Sequence, residues 1–182
     1  NELSGLPSLR GRTLLIAGNR AYVGDYFSDS LDVVDLSVAK PVAEAVALSA
    51  TNRITTARRG EMYFNDATIC SQGWQSCASC HDEDARVDGL NWDLLNDGIG
   101  TPKDTKSLVL AHQTPPVMSL GVRATAEVAV RSGIANSLAT SLPEEVAVAM
   151  DEWLKSLKPA PSPHLVNGRL SEAARRGEKL FN

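Results

Sequence analysis

Five consecutive residues, Cys77-Ala78-Ser79-Cys80-His81, hold the most chemical potential in this chain. Two thiols three apart, followed at once by an imidazole, form the C-x-x-C-H pattern that attaches a c-type haem. The thiols become thioethers to the haem vinyl groups, and the imidazole becomes an axial iron ligand. On a helical turn, residues three and four apart share a face, so Cys77, Cys80 and His81 can address one flat macrocycle. A redox dithiol, half of a zinc site and a chance pairing are the competing readings. No second C-x-x-C or nearby Cys/His pair completes a zinc tetrahedron, and a dithiol does not need the trailing histidine. His81 is therefore the expected proximal ligand of a covalent haem c. Cys70 is left over and is expected to be a buried thiol packing as a small hydrophobe.

The opposite face of the iron decides what such a group does. A second strong ligand closes it, whereas an open face admits a small molecule. The chain has only three Met and three His. Met118 follows Pro115-Pro116 on a rigid loop and is the first candidate distal ligand, with His112 the alternative and an open face the third possibility. Trp92 is a candidate to lie against the haem, weighed against ordinary core packing. Met62 and Met150 fall on helix faces as core residues, and His164 sits in a proline-rich linker.

The elements around these residues divide the chain into three. Residues 1–51 carry short apolar runs (Thr13–Ala17, Ala21–Gly24, Leu31–Leu36, Val42–Leu48) separated by Gly, Asn, Asp and Ser, which suggests an antiparallel meander. Residues 52–160 become helical in pattern. Thr56–Asn65 has a Thr cap and a glycine, Gly60, that suggests close approach of another helix. Val122–Ala139 has helical spacing. Ser141-Leu142-Pro143-Glu144 reads as a capping box opening a helix whose Val146, Met150, Trp153, Leu154 and Leu157 share one face. Asp82–Gly100 reads as loop, with a helical turn near Trp92-Asp93-Leu94-Leu95. Residues 161–182 begin in a stiff Pro-rich stretch and end in Ala174-Arg-Arg-Gly-Glu-Lys-Leu-Phe-Asn182, which matches Ala57–Asn65 at seven of nine positions. The fold class expected is mainly α: a cytochrome c-like haem domain preceded by a short antiparallel β meander, with the first helix of a truncated second haem domain at the end.

Composition sets limits on the partners. The chain has 182 residues, a formal net charge of -4, 43% apolar and 22% charged residues. No basic stripe is present to neutralise phosphates, so nucleic acid is not an expected partner. The doublets Arg58-Arg59 and Arg175-Arg176 read as solvated helix starts. No run of about 18 apolar residues exists, so no membrane span is expected. Haem c assembly outside the reducing cytoplasm implies a periplasmic or extracellular protein, and the absence of a signal peptide reads as a trimmed chain.

The helix Arg58-Arg59-Gly60-Glu61 to Phe64, the Cys77–His81 site, Thr105-Lys106-Ser107-Leu108, Thr114-Pro115-Pro116, Gly121-Val122-Arg123 and the second helix start together resemble the bacterial di-haem cytochrome c peroxidase group, including its methylamine-utilisation relatives. Residues 21–36 resemble one repeat of a YVTN-type β-propeller. The resemblance implies two haem domains, with a second haem c downstream, a peroxide substrate and a small redox protein as electron donor. Arg123 matches the family's arginine, and Glu127 is the nearest acid to its carboxylate positions, so these two are the implied catalytic residues. The family's Phe-Trp pair is absent. Two other readings stand beside this one: an electron-transfer module without catalysis, and a propeller-based binding protein with an auxiliary haem.

Overall fold

The computed structural model describes residues 11–49, 54–93 and 102–182. Four strands form an antiparallel meander in the order β1 (Gly11–Ala17), β2 (Arg20–Asp25), β3 (Ser30–Asp35) and β4 (Ala43–Ala47). Each lies within a few residues of an apolar run, as expected when Gly18-Asn19 and the Tyr26–Asp29 turn interrupt a β-rich sequence. Ala17 pairs with Arg20 and Asp25 with Ser30, which fixes the register at both turns. Ala21, Phe27 and Val34 are buried, whereas Leu14, Leu15 and Ile16 of β1 are exposed.

The helical part is built on α1 (Thr56–Phe64) and α4 (Glu144–Ser156), which cross tightly. Thr55 caps α1, its Oγ1 accepting from the Arg58 amide at 3.2 Å. Gly60 makes the crossing possible: a Cβ there would stand 1.8 Å from the Ala149 carbonyl oxygen. One turn further on, Phe64 packs on Trp153 with ring centroids 4.7 Å apart. Between these helices come α2 (Asp82–Ala85), a two-residue strand pair β5 (Asn91–Trp92) and β6 (Lys103–Asp104), and α3 (Ala126–Ser132), which runs on into a wider π turn over Gly133–Ser137. Near the end lies α5 (Glu172–Phe181), whose Leu180 and Phe181 are exposed.

The core has two adjoining parts. One gathers Cys70, Ile134, Leu138, Val146, Ala147 and Met150; the other gathers Phe64, Ala85, Trp153 and Leu154. Cys70 is a buried thiol, and the apolar face of α4 points inward at Val146, Met150, Trp153 and Leu154.

Several expectations are corrected. The class is mixed α/β rather than mainly α cytochrome c-like: a full four-stranded sheet forms one part, and the described residues 86–93 and 102–125 are chiefly loop with a short strand pair. Among the described residues the sheet stands singly, not in the ring of blades that a propeller requires. Ser141 caps nothing; α4 begins after Pro143, and Glu144 and Glu145 meet the helix dipole instead. Trp92 lies in a strand, and residues 94–95 of its expected helical turn fall outside the described residues. Arg58 is no solvated helix start. It grips Asp29 at 2.7 and 3.3 Å, donates to the Tyr26 carbonyl and lies over the Tyr26 ring, tying the β2–β3 turn to α1. No helix among the described residues is long and apolar enough to cross a membrane.

Candidate functional site

The turn that carries the two thiols is organised before any ligand is considered. Cys77–Ser79 forms one 3-10 turn, with the Cys80 and His81 amides both donating to the Cys77 carbonyl at 3.3 and 2.9 Å. Ser76 and Ser79 close a reciprocal cap: the Ser76 amide donates to Ser79 Oγ at 2.9 Å, and the two hydroxyls lie 3.4 Å apart. Gln75, buried, donates to the Ser137 carbonyl at 2.6 Å and anchors the approach to the turn. Cys77 packs against both parts of the core.

This turn forms one wall of a cavity of about 540 Å³, which Cys77, Cys80 and His81 all line. That volume is in the range of cofactor and ligand clefts, roughly 300–1,000 Å³. Phe64, Val130, Leu138, Met150 and Leu154 supply apolar lining from the core, while Trp92 comes from β5, His112 from the 3-10 turn at Ala111–Gln113 and Met118 from a loop. Met118 sits in a tight hairpin closed by pairing of Val117 with Arg123. Its φ is +75°, a conformation that costs a non-glycine residue about 1–2 kcal/mol. Gly121 completes the hairpin at φ +63°, with its amide donating to the Met118 carbonyl at 3.1 Å.

Burial is the largest influence on the protonation of all three side chains. Burial pushes the Cys77 thiol up to about 12 and also raises Cys80. A redox dithiol needs the opposite, a stabilised thiolate. A thioether sulfur carries no charge and loses nothing by burial there. Burial lowers His81, against the opposing pull of the Lys106 carbonyl, which lies 2.9 Å from Nδ1. With Nδ1–H donating to that carbonyl, Nε2 keeps its lone pair, the arrangement that prepares a histidine to ligate iron. Among the described residues no three His, Cys, Asp or Glu side chains cluster to hold a bare metal ion. Cys77, Cys80 and His81 are the residues of this lining that could hold a haem, whose porphyrin brings its own equatorial nitrogens.

The structure brings Cys77, Cys80, His81, Trp92, His112 and Met118 to one cavity, although they span 42 positions of sequence from first to last (118 less 77, inclusive). Trp92 donates its indole N–H to Asp88 at 2.7 Å, which fixes its ring. Arg123 and Glu127 lie outside the lining. Arg123 donates to the Val122 carbonyl and to Ser132 Oγ, at 3.2 and 3.1 Å. Glu127 is held at about 2 by its own backbone N–H and the Thr125 hydroxyl at the start of α3, with help from Lys155, 3.2 Å away. Sequence spacing gave no sign of Asp151 or Arg131. Asp151 accepts from His112 Nε2 at 3.0 Å and from Arg131 at 2.6 Å. Buried acidic residues on an otherwise apolar helix face were the available signal.

Over 138 residues, spanning 68% of the chain, the sequence is 32% identical to hydrazine synthase subunit gamma of Kuenenia stuttgartiensis. The chain is similar to a hydrazine synthase subunit. It spans 38% of that relative's length. A solved structure of Kuenenia stuttgartiensis hydrazine synthase, pressurised with 20 bar xenon, superposes on it with a TM-score of 0.59 at 29% identity, over 69% of this chain and 44% of that one. No protein-family model matches the chain. These likenesses overturn the expected membership of the di-haem cytochrome c peroxidase group. With it go the peroxide-reducing redox function, its electron-transfer alternative and the propeller-based binding alternative. The motifs behind that expectation are short and individually modest, and identity sustained over 138 residues outweighs them.

Proposed function

We propose that this chain is part of a subunit of a hydrazine-forming complex and that it holds a haem c in the cavity beside Cys77–His81. The observation that carries the first part is the 32% identity over 138 residues with the gamma subunit of hydrazine synthase. What supports the second is the convergence of Cys77, Cys80 and His81 on one cavity of cofactor size. The partners in this reading are the other subunits of such a complex, in place of a small electron-donor protein. The place of action is periplasmic or extracellular, where haem c is assembled.

In this reading Cys77 and Cys80 fix the macrocycle to the 3-10 turn, and His81 presents Nε2 while the Lys106 carbonyl holds its ring. Bound there, the haem would supply an iron centre for small-molecule chemistry. Phe64, Leu138, Met150 and Leu154 would exclude water from an apolar group held there, and Lys103 and Lys106 add positive charge to the lining. Met118 and His112, which line the same cavity, would be the further candidates to hold the group.

Two measurements test this. A product matured in a host competent for haem c should keep its haem through acid–acetone extraction and show a c-type haemochrome spectrum; loss of the colour refutes the cofactor. The protein purified from its source should migrate within a larger assembly that releases hydrazine in a colorimetric assay. A monomer from preparations without hydrazine output refutes the complex.

A further inference from the structure

One carboxylate outside the cavity lining holds together the part of its wall that meets His81. Asp88 Oδ1 accepts the Leu90 amide at 2.9 Å, and Oδ2 accepts the Trp92 indole N–H at 2.7 Å. The Thr105 hydroxyl is a third partner of the same carboxylate. Gly89, at φ +75°, makes the tight turn by which the Asp88 side chain reaches an amide two residues on. Asp88 itself does not line the cavity, whereas Trp92, Thr105 and Lys106 do. Backbone bonds continue the join: the Thr105 amide donates to the Leu90 carbonyl at 3.1 Å, and the Leu108 amide to the Ala85 carbonyl at 2.8 Å. Lys106, between those two bonds, carries the carbonyl that lies 2.9 Å from His81 Nδ1.

A carbonyl that accepts from Nδ1–H fixes an imidazole ring and makes Nε2 the stronger donor to a metal. The Lys106 carbonyl keeps its direction because the chain is pinned on both sides of it. Thr105 before it is held by Asp88 and the Leu90 carbonyl, and Leu108 after it by the Ala85 carbonyl. The Leu90 amide first, then Thr105 and Trp92, hold the Asp88 carboxyl below the ordinary carboxylate range. Three donors therefore face an anion at neutral pH, and hydrogen bonds to an anion are the stronger kind. We propose that Asp88 is a positioning residue for the haem site. Through Thr105 it aims the Lys106 carbonyl at His81, and directly it fixes Trp92 in the same wall. The group served rests on the haem reading above; the chain of hydrogen bonds rests on the geometry.

Thr105→Val and Asp88→Asn test this in the haem-loaded protein. T105V removes the hydroxyl and leaves every charge in place, whereas D88N also removes the anion. The first readout is the midpoint potential from spectroelectrochemical titration. A misdirected carbonyl weakens His81 as a donor and favours the ferrous state, so both variants are expected to raise the potential. For D88N the ferric-to-ferrous ratio is expected to shift about tenfold, which is about 59 mV for one electron. A rise in D88N with none in T105V shows charge acting alone and overturns the positioning role. The second readout is the His81 Nδ1 proton in the hyperfine-shifted spectrum of the low-spin ferric protein with cyanide added. Its exchange with solvent is expected to quicken about tenfold in T105V. Unchanged exchange overturns the inference even if D88N fails to fold. Trp92 is read by its indole band in the ultraviolet resonance Raman spectrum, isolated by subtracting Trp92→Phe. A wild-type band without the shift of a strongly hydrogen-bonded indole overturns that part. Protein that carries no covalent haem after maturation overturns the cofactor reading, whereas covalent haem with potential and exchange unmoved overturns this inference alone.

Discussion

Gly60 and Gly177 occupy the same place in two copies of Ala-Arg-Arg-Gly-Glu, and alanine at the two should have opposite effects. By helix propensity alone, each Gly→Ala change stabilises by about 1 kcal/mol. At Gly177 nothing lies within 4 Å of the added carbon, so that gain should appear. At Gly60 the new Cβ would meet the Ala149 carbonyl oxygen at 1.8 Å, its carbon at 2.4 Å and the Met150 amide nitrogen at 2.9 Å. All three are backbone atoms of α4 and cannot rotate away. Restoring van der Waals contact near 3.3 Å moves the helices apart by about 1.5 Å, a distance over which most of the dispersion attraction across the interface is lost. Overpacking of this kind costs about 1–3 kcal/mol or more, and separating Phe64 from Trp153 adds about 0.5–1.5 kcal/mol. After the propensity gain is subtracted, Gly60→Ala should cost about 0.5–3.5 kcal/mol. For a chain of this length that is a fall in Tm of roughly 1–14 °C. Urea and thermal unfolding followed by circular dichroism measure both variants. A Gly60→Ala protein as stable as the wild type, or matching Gly177→Ala in sign, would refute the close crossing.

Other outcomes follow from the same structure. Replacing Cys77 and Cys80 together with serine should leave no haem after acid–acetone extraction, whereas His81→Ala should retain the colour but shift the spectrum; unchanged spectra in both would remove the proposed ligation. Asp25→Asn should stabilise the sheet by about 1 kcal/mol at neutral pH, because Asp25 Oδ1 is buried without a partner, and burial, then Asp32, raises its carboxyl. That raised value means the penalty is full above the folded-state pKa and disappears as pH falls through the ordinary carboxylate range, so the gain should vanish in acid; a constant gain across pH would contradict it. Glu127→Gln should cost about 0.5 kcal/mol at neutral pH through the start of α3. Since Glu127 is lowered to about 2, that difference should fade between the ordinary carboxylate pKa and about 2, as a pH series of unfolding midpoints would record.

What the sequence determined by itself was local. Cys77-Ala-Ser-Cys-His81 places three groups on one turn because their spacing matches the turn, and the turn forms within five residues. Thr55 caps α1 because its hydroxyl reaches an amide three positions on, and the apolar face of α4 is legible because its period is that of the helix. The strands were legible because turn residues bound them. The tertiary structure decided everything that depends on what arrives from elsewhere. The same Arg-Arg-Gly-Glu motif is clamped to Asp29 and pressed on Ala149 in α1, yet exposed in α5. Arg123 and Glu127, close in sequence to the cavity-lining Met118, turn to Ser132 and Lys155 instead. His112 finds Asp151 across 39 positions, and no periodicity reports that contact, because a hydrogen bond between separate elements is set by how they pack. The class of the fold was missed for the same reason: each strand and helix could be read locally, but the proportion of sheet, loop and helix in the finished chain emerges only once they are assembled.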